Sequence, residues 1–162
     1  AVDAQAGVPA GTASNYFTSR DDLFTQAGSR IHVRMAPDPA EVDAAMGSAP
    51  LSRELVTELM KWLMRRMTQE RTGYLAMLEL RLEATRRPAL QRELTRAVRS
   101  EFDENVRFHL DAGLPGDADT VLVLYLAMTG VLLEQFTLPE MLSGIELDAL
   151  VETVVSRVLP PE

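Results

Sequence analysis

The residues of this chain that could do chemistry fall into three groups. Glu101, Asn105 and His109 recur at i, i+4 and i+8, one face of a helix, with Asp103 and Glu104 alongside. Carboxylates and an imidazole so spaced could be assembled into an acid–base set. The commoner outcome of such spacing is a partly buried histidine paired to a carboxylate. Glu79 and Glu83 stand within reach of Arg86 and Arg87 and read as a solvated, ion-paired face. The third group is small and polar: Thr12, Ser14, Asn15 and Tyr16, whose hydroxyl and amide groups suit phosphate oxygens and base edges. Cysteine is absent and histidine occurs twice, at His32 and His109, which excludes disulfides, a thiol nucleophile and a multi-histidine metal centre. No Gly-rich phosphate loop or nucleophile motif occurs. The expectation is a protein that is not an enzyme, with no catalytic residue, metal or cofactor.

The elements that must position these groups are helical. Aliphatic and aromatic residues make up 46% of the 162-residue chain, aromatics only 6%, and Leu, Ala, Met and Arg dominate. Ser19 with Asp22 signals a helix start, and Pro37 and Pro39 end that helix near Met35. Residues 37–50 hold three Pro and a Gly and read as a linker with at most a short turn of helix. Val56, Leu59, Met60, Leu63, Met64 and Met67 then form one helical stripe. Tyr74, Met77, Leu78, Arg81 and Leu82 repeat it, with Arg81 interrupting an apolar face. Pro88 suits the first turn of a long helix to about Asp111.

The next helix, about 117–137, is apolar on nearly every side, so the reading expects it to be buried all round. The last, about 146–159, carries Leu147, Leu150, Val151, Val154, Val155, Val158 and Leu159 on one stripe. Two such helices side by side predict a homodimer through a four-helix interface, with a monomeric bundle as the plainer alternative. The longest apolar run, Val121 to Leu133, is interrupted by Thr129 and Gly130 and is shorter than the ~20 residues a bilayer requires, so no membrane span is expected. No signal peptide or lipidation motif is visible, and a cytoplasmic protein is expected. The fold class is all-α.

The N-terminal stretch fits this frame as a helix–turn–helix. Val2 to Gln5 reads as the end of a helix, Gly7 as the tight turn, about Pro9 to Phe17 as a second short helix, and Ser19 as the cap of a third. Ala6-Gly7-Val8 followed by Gly11-Thr12-Ala13-Ser14-Asn15-Tyr16-Phe17 and Ser19-Arg20-Asp21-Asp22-Leu23-Phe24 resembles the signature of the tetracycline-repressor-like family of bacterial regulators, roughly A-G-V-S-x-G-T-L-Y-x-Y-F-x-S-K-E-x-L-F. Two positions depart from it: Pro9 stands where the family has a Ser cap, and Ala13-Ser14 where it has Leu-Tyr. The chain also starts without Met and in mid-pattern, which leads the reading to expect the family's first helix upstream of Ala1.

The resemblance implies a homodimeric transcriptional regulator, a repressor released from a palindromic double-stranded DNA operator by a small apolar or amphipathic effector. It implies a DNA-binding head at 1–36, the linker at 37–50, and a ligand-binding and dimerising body at 51–162. Thr12, Ser14, Asn15, Tyr16 and Arg20 become the candidate DNA contacts, with Tyr16 and Arg20 on phosphates and Thr12 and Asn15 facing the groove. In the body, Trp62, Met67, Tyr74, Met77, Phe102 and Met128 offer adaptable apolar lining, and Arg81, Asn105 and His109 offer polar anchors. Ordinary core packing is the plainer reading of each of those taken singly. The formal net charge of −8 lies wholly beyond residue 34, because Arg20, Arg30 and Arg34 balance Asp3, Asp21 and Asp22. The alternative reading is therefore a helical small-molecule-binding or scaffold protein without DNA binding.

Overall fold

The computed structural model describes residues 2–47 and 49–159, and among them there is no strand. Three helices form the N-terminal part: α1 (Val2–Ala6), α2 (Thr12–Tyr16) and α3 (Arg20–Met35). Helix α4 (Pro39–Met46) follows, then α5 (Arg53–Gln69), α6 (Arg71–Ala84), α7 (Pro88–Asp111), α8 (Ala118–Thr137) and α9 (Leu147–Val158). A 3₁₀ turn, Pro139–Leu142, joins the last two.

Local chemistry sets the boundaries. Ser19 Oγ accepts the Asp22 amide at 3.0 Å, while the Asp22 carboxylate takes the amide and hydroxyl of Thr18. Asp38 and Glu41 close a full capping box ahead of Pro39, so the segment expected to be a linker with one short turn of helix carries two. Asp117 and Thr120 make another capping box at the start of α8.

The core lies where α5, α6, α8 and α9 converge. Val56, Met64, Val151 and Val155 are its most completely buried members, joined by Leu124, Leu132 and Phe136 from α8. A second cluster, Leu80, Ala84, Leu90 and Leu94 from α6 and α7, receives Phe24 and Ile31 of α3. Helix α3 thus packs on the body along its length. Gly28 makes the approach possible, since a β-carbon there would stand 3.0 Å from Leu94 Cδ2. At the N-terminal end of the contact Arg87 pairs with both Asp21 and Glu83, and its guanidinium lies 5.2 Å from the centroid of the Phe24 ring. The hydrogen bond from Arg87 holds the Glu83 carboxyl below its ordinary range. That contribution is present at neutral pH and is lost as acid protonates Glu83.

Helix α8 departs from expectation. Val121, Leu124, Met128, Leu132 and Phe136 are buried, but Leu122, Val123, Leu126 and Leu133 are exposed, so the chain alone does not bury it all round. The helix also extends beyond the apolar run that signals it. At 20 residues it is long and apolar enough to cross a bilayer by length and composition. Its buried side packs on α9, α7 and α5.

Gly28→Val should therefore force α3 away from Leu94 and lower stability by about 1–3 kcal/mol. A thermal melt checks this, and an unchanged midpoint would show that α3 does not rely on the close contact.

Candidate functional site

Two sites emerge, one in the N-terminal helices and one inside the body. In the first, α1 and α2 are joined through Gly7 and Gly11, both at positive φ (67° and 91°) where a side chain would be strained. Helix α2 begins at Thr12, so Pro9 lies in the turn and not in the first helical position that its φ would suit. What holds α2 in place is Asp3. One carboxylate oxygen accepts the Gly11 amide at 2.8 Å, and the other accepts the Ala13 amide at 2.7 Å. A side chain on the first helix thus satisfies the orphan donors at the start of the second and sets its positive end against a negative charge.

The five candidate DNA contacts cluster on and just after α2. Tyr16 is 74% exposed, and Asn15, Ser14 and Arg20 are exposed as well. The Thr12 hydroxyl donates to the Pro9 carbonyl at 2.6 Å and the Ser14 hydroxyl to the Gly11 carbonyl at 2.7 Å. Both hydroxyls keep their lone pairs available but have committed their protons. Arg20 opens α3, its guanidinium 5.5 Å from the Phe24 ring centroid.

The second site is a cavity of about 360 Å³, within the range that holds small molecules. Helix α5 contributes Trp62, Arg66 and Met67; α6 contributes Tyr74, Met77 and Arg81; α7 contributes Asn105 and His109; α8 contributes Tyr125 and Met128. Eight of the nine candidate ligand residues thus share one wall system. The ninth, Phe102, does not line it and stands edge-on to Tyr125 with ring centroids 5.8 Å apart.

The polar groups differ in what they have left to offer. His109 is buried and its Nε2–H donates to the Pro115 carbonyl at 2.9 Å, which fixes the turn after α7. Tyr74 donates its hydroxyl to the Thr129 carbonyl at 3.3 Å, and burial pushes its phenol up, so it stays a neutral group. Arg81 donates from one Nη to the Tyr125 hydroxyl at 3.2 Å.

Arg66 went unremarked in the sequence, where it is one more arginine on an amphipathic helix. In the structure its Nη1 donates to the Met35 carbonyl at 2.6 Å, its Nη2 to the Ala36 carbonyl at 2.9 Å, and its Nε reaches Glu41 at 3.4 Å. The last carbonyls of α3 are thereby capped by a guanidinium from the cavity wall. The only sequence cue was that Pro37 ends α3 and leaves such carbonyls to be satisfied. Asp3 was missed for a similar reason: nothing at i+8 or i+10 marks a cap borrowed from another helix.

A helix–turn–helix joined through α3 to an all-α body with a mainly apolar cavity makes a two-part, all-helical architecture. The family model described as "Tetracyclin repressor-like, C-terminal domain" matches residues 51–161, and the chain belongs to that family. A search of the curated proteins found no match.

Replacing Asp3 by Ala removes both bonds to α2. It should cost about 1–2 kcal/mol locally and speed amide exchange in residues 11–16 while leaving α5–α9 protected. Unchanged exchange in α2 would show that the turn alone orients it.

Proposed function

We propose that this protein is a ligand-responsive, DNA-binding transcriptional regulator. It acts as a repressor that leaves a palindromic operator when a small apolar or amphipathic molecule fills the body. The observation that carries this reading is that α3 belongs to both parts. Its first turn follows the exposed polar helix α2, and its last residue, Met35, is part of the cavity wall, where Arg66 grips the adjoining carbonyls. Occupying the cavity then biases the helix whose first turn follows directly on α2 in the chain, which is the link that coupling between two sites requires.

The operator contacts in this reading are Thr12 and Asn15 toward base edges, with Ser14, Tyr16 and Arg20 toward phosphates. The effector contacts are the eight cavity residues, with Phe102 supporting Tyr125 from behind. Self-association runs through α8 and α9, because Leu122, Val123, Leu126 and Leu133 leave an apolar face that a second copy would cover. The protein works in the cytoplasm, without cofactor or metal.

A second reading, a helical small-molecule-binding protein that does not bind DNA, draws on two observations. The N-terminal 34 residues carry no net charge, and the Thr12 and Ser14 hydroxyl protons are used internally.

Fluorescence anisotropy on DNA from upstream of the protein's own gene, at low and moderate salt with scrambled DNA as control, separates the two. The regulator reading expects selective, salt-sensitive binding with at least two protomers per site. Arg20→Ala should reduce the salt slope by about 1, and Asn15→Ala should reduce selectivity instead. Failure to discriminate among a panel of candidate promoters moves the balance to the second reading. Leu126, 58% exposed, supplies the test of assembly. Leu126→Glu should give a monomer in sedimentation with its helical content intact, whereas a wild-type monomer would rule out the α8 interface.

A further inference from the structure

The cavity is not uniform along its length, and the difference specifies a ligand. Near the end of α3 the wall is apolar except for Arg66, whose guanidinium is engaged by the Met35 and Ala36 carbonyls and by Glu41. The Met35 sulfur closes over Gly73, 3.3 Å from where a β-carbon would stand, and Pro37 and Val42 flank it. Arg81 lies eight residues further along α6, about 12 Å of helical rise away. There the wall carries its guanidinium, the Tyr125 hydroxyl, and Glu101 and Asn105 of α7. Six of the chain's eight methionines line the cavity, so its apolar part can reshape around a flexible or irregular body.

A guanidinium half buried in a cavity of this kind is expensive to keep unless something uses it. The partner that the geometry gives it, the Tyr125 hydroxyl, is neutral and engages one of its five donors. A planar acid presents two acceptors in the arrangement a guanidinium matches, and within an apolar chamber that match is strengthened. The Tyr125 hydroxyl beside Arg81 supplies a second polar contact, which places the head on the α6 and α8 side of the cavity.

We infer that the effector is an amphipathic acid, bound with its acidic head on Arg81 beside Tyr125 and its apolar body running along α6 to Met35 at the end of α3. This deepens the ligand-responsive reading and rests on it. It assigns the two ends of the molecule different tasks. The acid fixes the register, and the apolar end meets the helix that carries the N-terminal head. A ligand with the acid but too short a body would bind without reaching Met35.

Trp62, the single tryptophan, stands on the cavity wall and reports occupancy directly. Decanoate and decanol, each well below its aggregation limit at pH 8, are titrated against the intact protein, reading Trp62 emission. The acid should bind more tightly than the alcohol by about tenfold to a hundredfold, the range of a hydrogen bond to a charged group. Arg81→Gln should collapse that ratio to near one while decanol affinity stays within about twofold, which also shows that the variant is folded.

Equal binding of acid and alcohol by the wild type, or a ratio that survives Arg81→Gln, overturns the assignment but leaves a ligand-binding body standing. Failure of both probes to change Trp62 emission overturns it as well. The regulator reading is judged separately, by the anisotropy measurement on DNA, which neither probe enters.

Discussion

The arrangement depends on one close approach. Helix α3 comes near enough to α6 and α7 for a β-carbon at Gly28 to crowd Leu94, and α3 is the helix through which the N-terminal segment joins the body. Glycine in a helix interior costs about 0.5–1 kcal/mol relative to alanine, so its presence there is worth explaining by packing. The contact is fixed at both ends by guanidinium groups. Arg87 clasps the first turn through Asp21 and the Phe24 ring, and Arg66 caps the last carbonyls. A rigid helix held at three points transmits a displacement at one end to the other, because packed interfaces shift as units rather than deform smoothly.

The three points are not equivalent. Gly28 sits against a closed apolar cluster of Leu80, Ala84, Leu90 and Leu94, which offers nowhere to move. Arg66 and Met35 sit beside a cavity, where van der Waals partners are missing on one side. The C-terminal end of α3 is consequently the softer of the two, and the end at which added atoms can change the balance of contacts. The N-terminal end is held by the Arg87 ion pairs and the Phe24 ring.

Much of this was legible from sequence, for identifiable reasons. The all-α class, the long helix begun by Pro88, and the two apolar C-terminal helices follow from periodicity and capping chemistry that act within a few residues. Residues as far apart as Trp62 and Met128, proposed as pocket lining because polar groups interrupt apolar faces, stand around one space. What the sequence concealed were interactions between elements. Asp3 caps a helix to which it does not belong. Arg66 caps another. The segment at 37–50 holds an eight-residue helix whose Val42 walls the cavity, although its prolines read as a spacer. The exposure of Leu122, Val123, Leu126 and Leu133 was hidden for the opposite reason. An all-round apolar helix says that cover is needed and not which molecule supplies it.

The charge of −8 raises a physical objection to any nucleic-acid role, and the N-terminal helices answer part of it. Their carboxylates are engaged with donors of the protein itself. Asp3 takes two amides of α2; Asp22 takes the amide and hydroxyl of Thr18 and the amide of Gln26; Asp21 is paired to Arg87. The hydrogen bonds from Gln26 and Thr18 hold the Asp22 carboxyl below its ordinary range, so it stays ionised, but its charge is spread over those donors. Arg20 and Arg30 are exposed at the surface. With the excess acid confined to the body beyond residue 34 and screening acting over about 8 Å at physiological salt, a phosphate backbone approaching α2 meets the local pattern before it meets the total. The remaining attraction is weak, so any selectivity in this head must come from the shape and polar edge of α2 rather than from field strength. That is why the two hydrogen bonds from Asp3, which fix where that edge points, carry more weight than another surface arginine would.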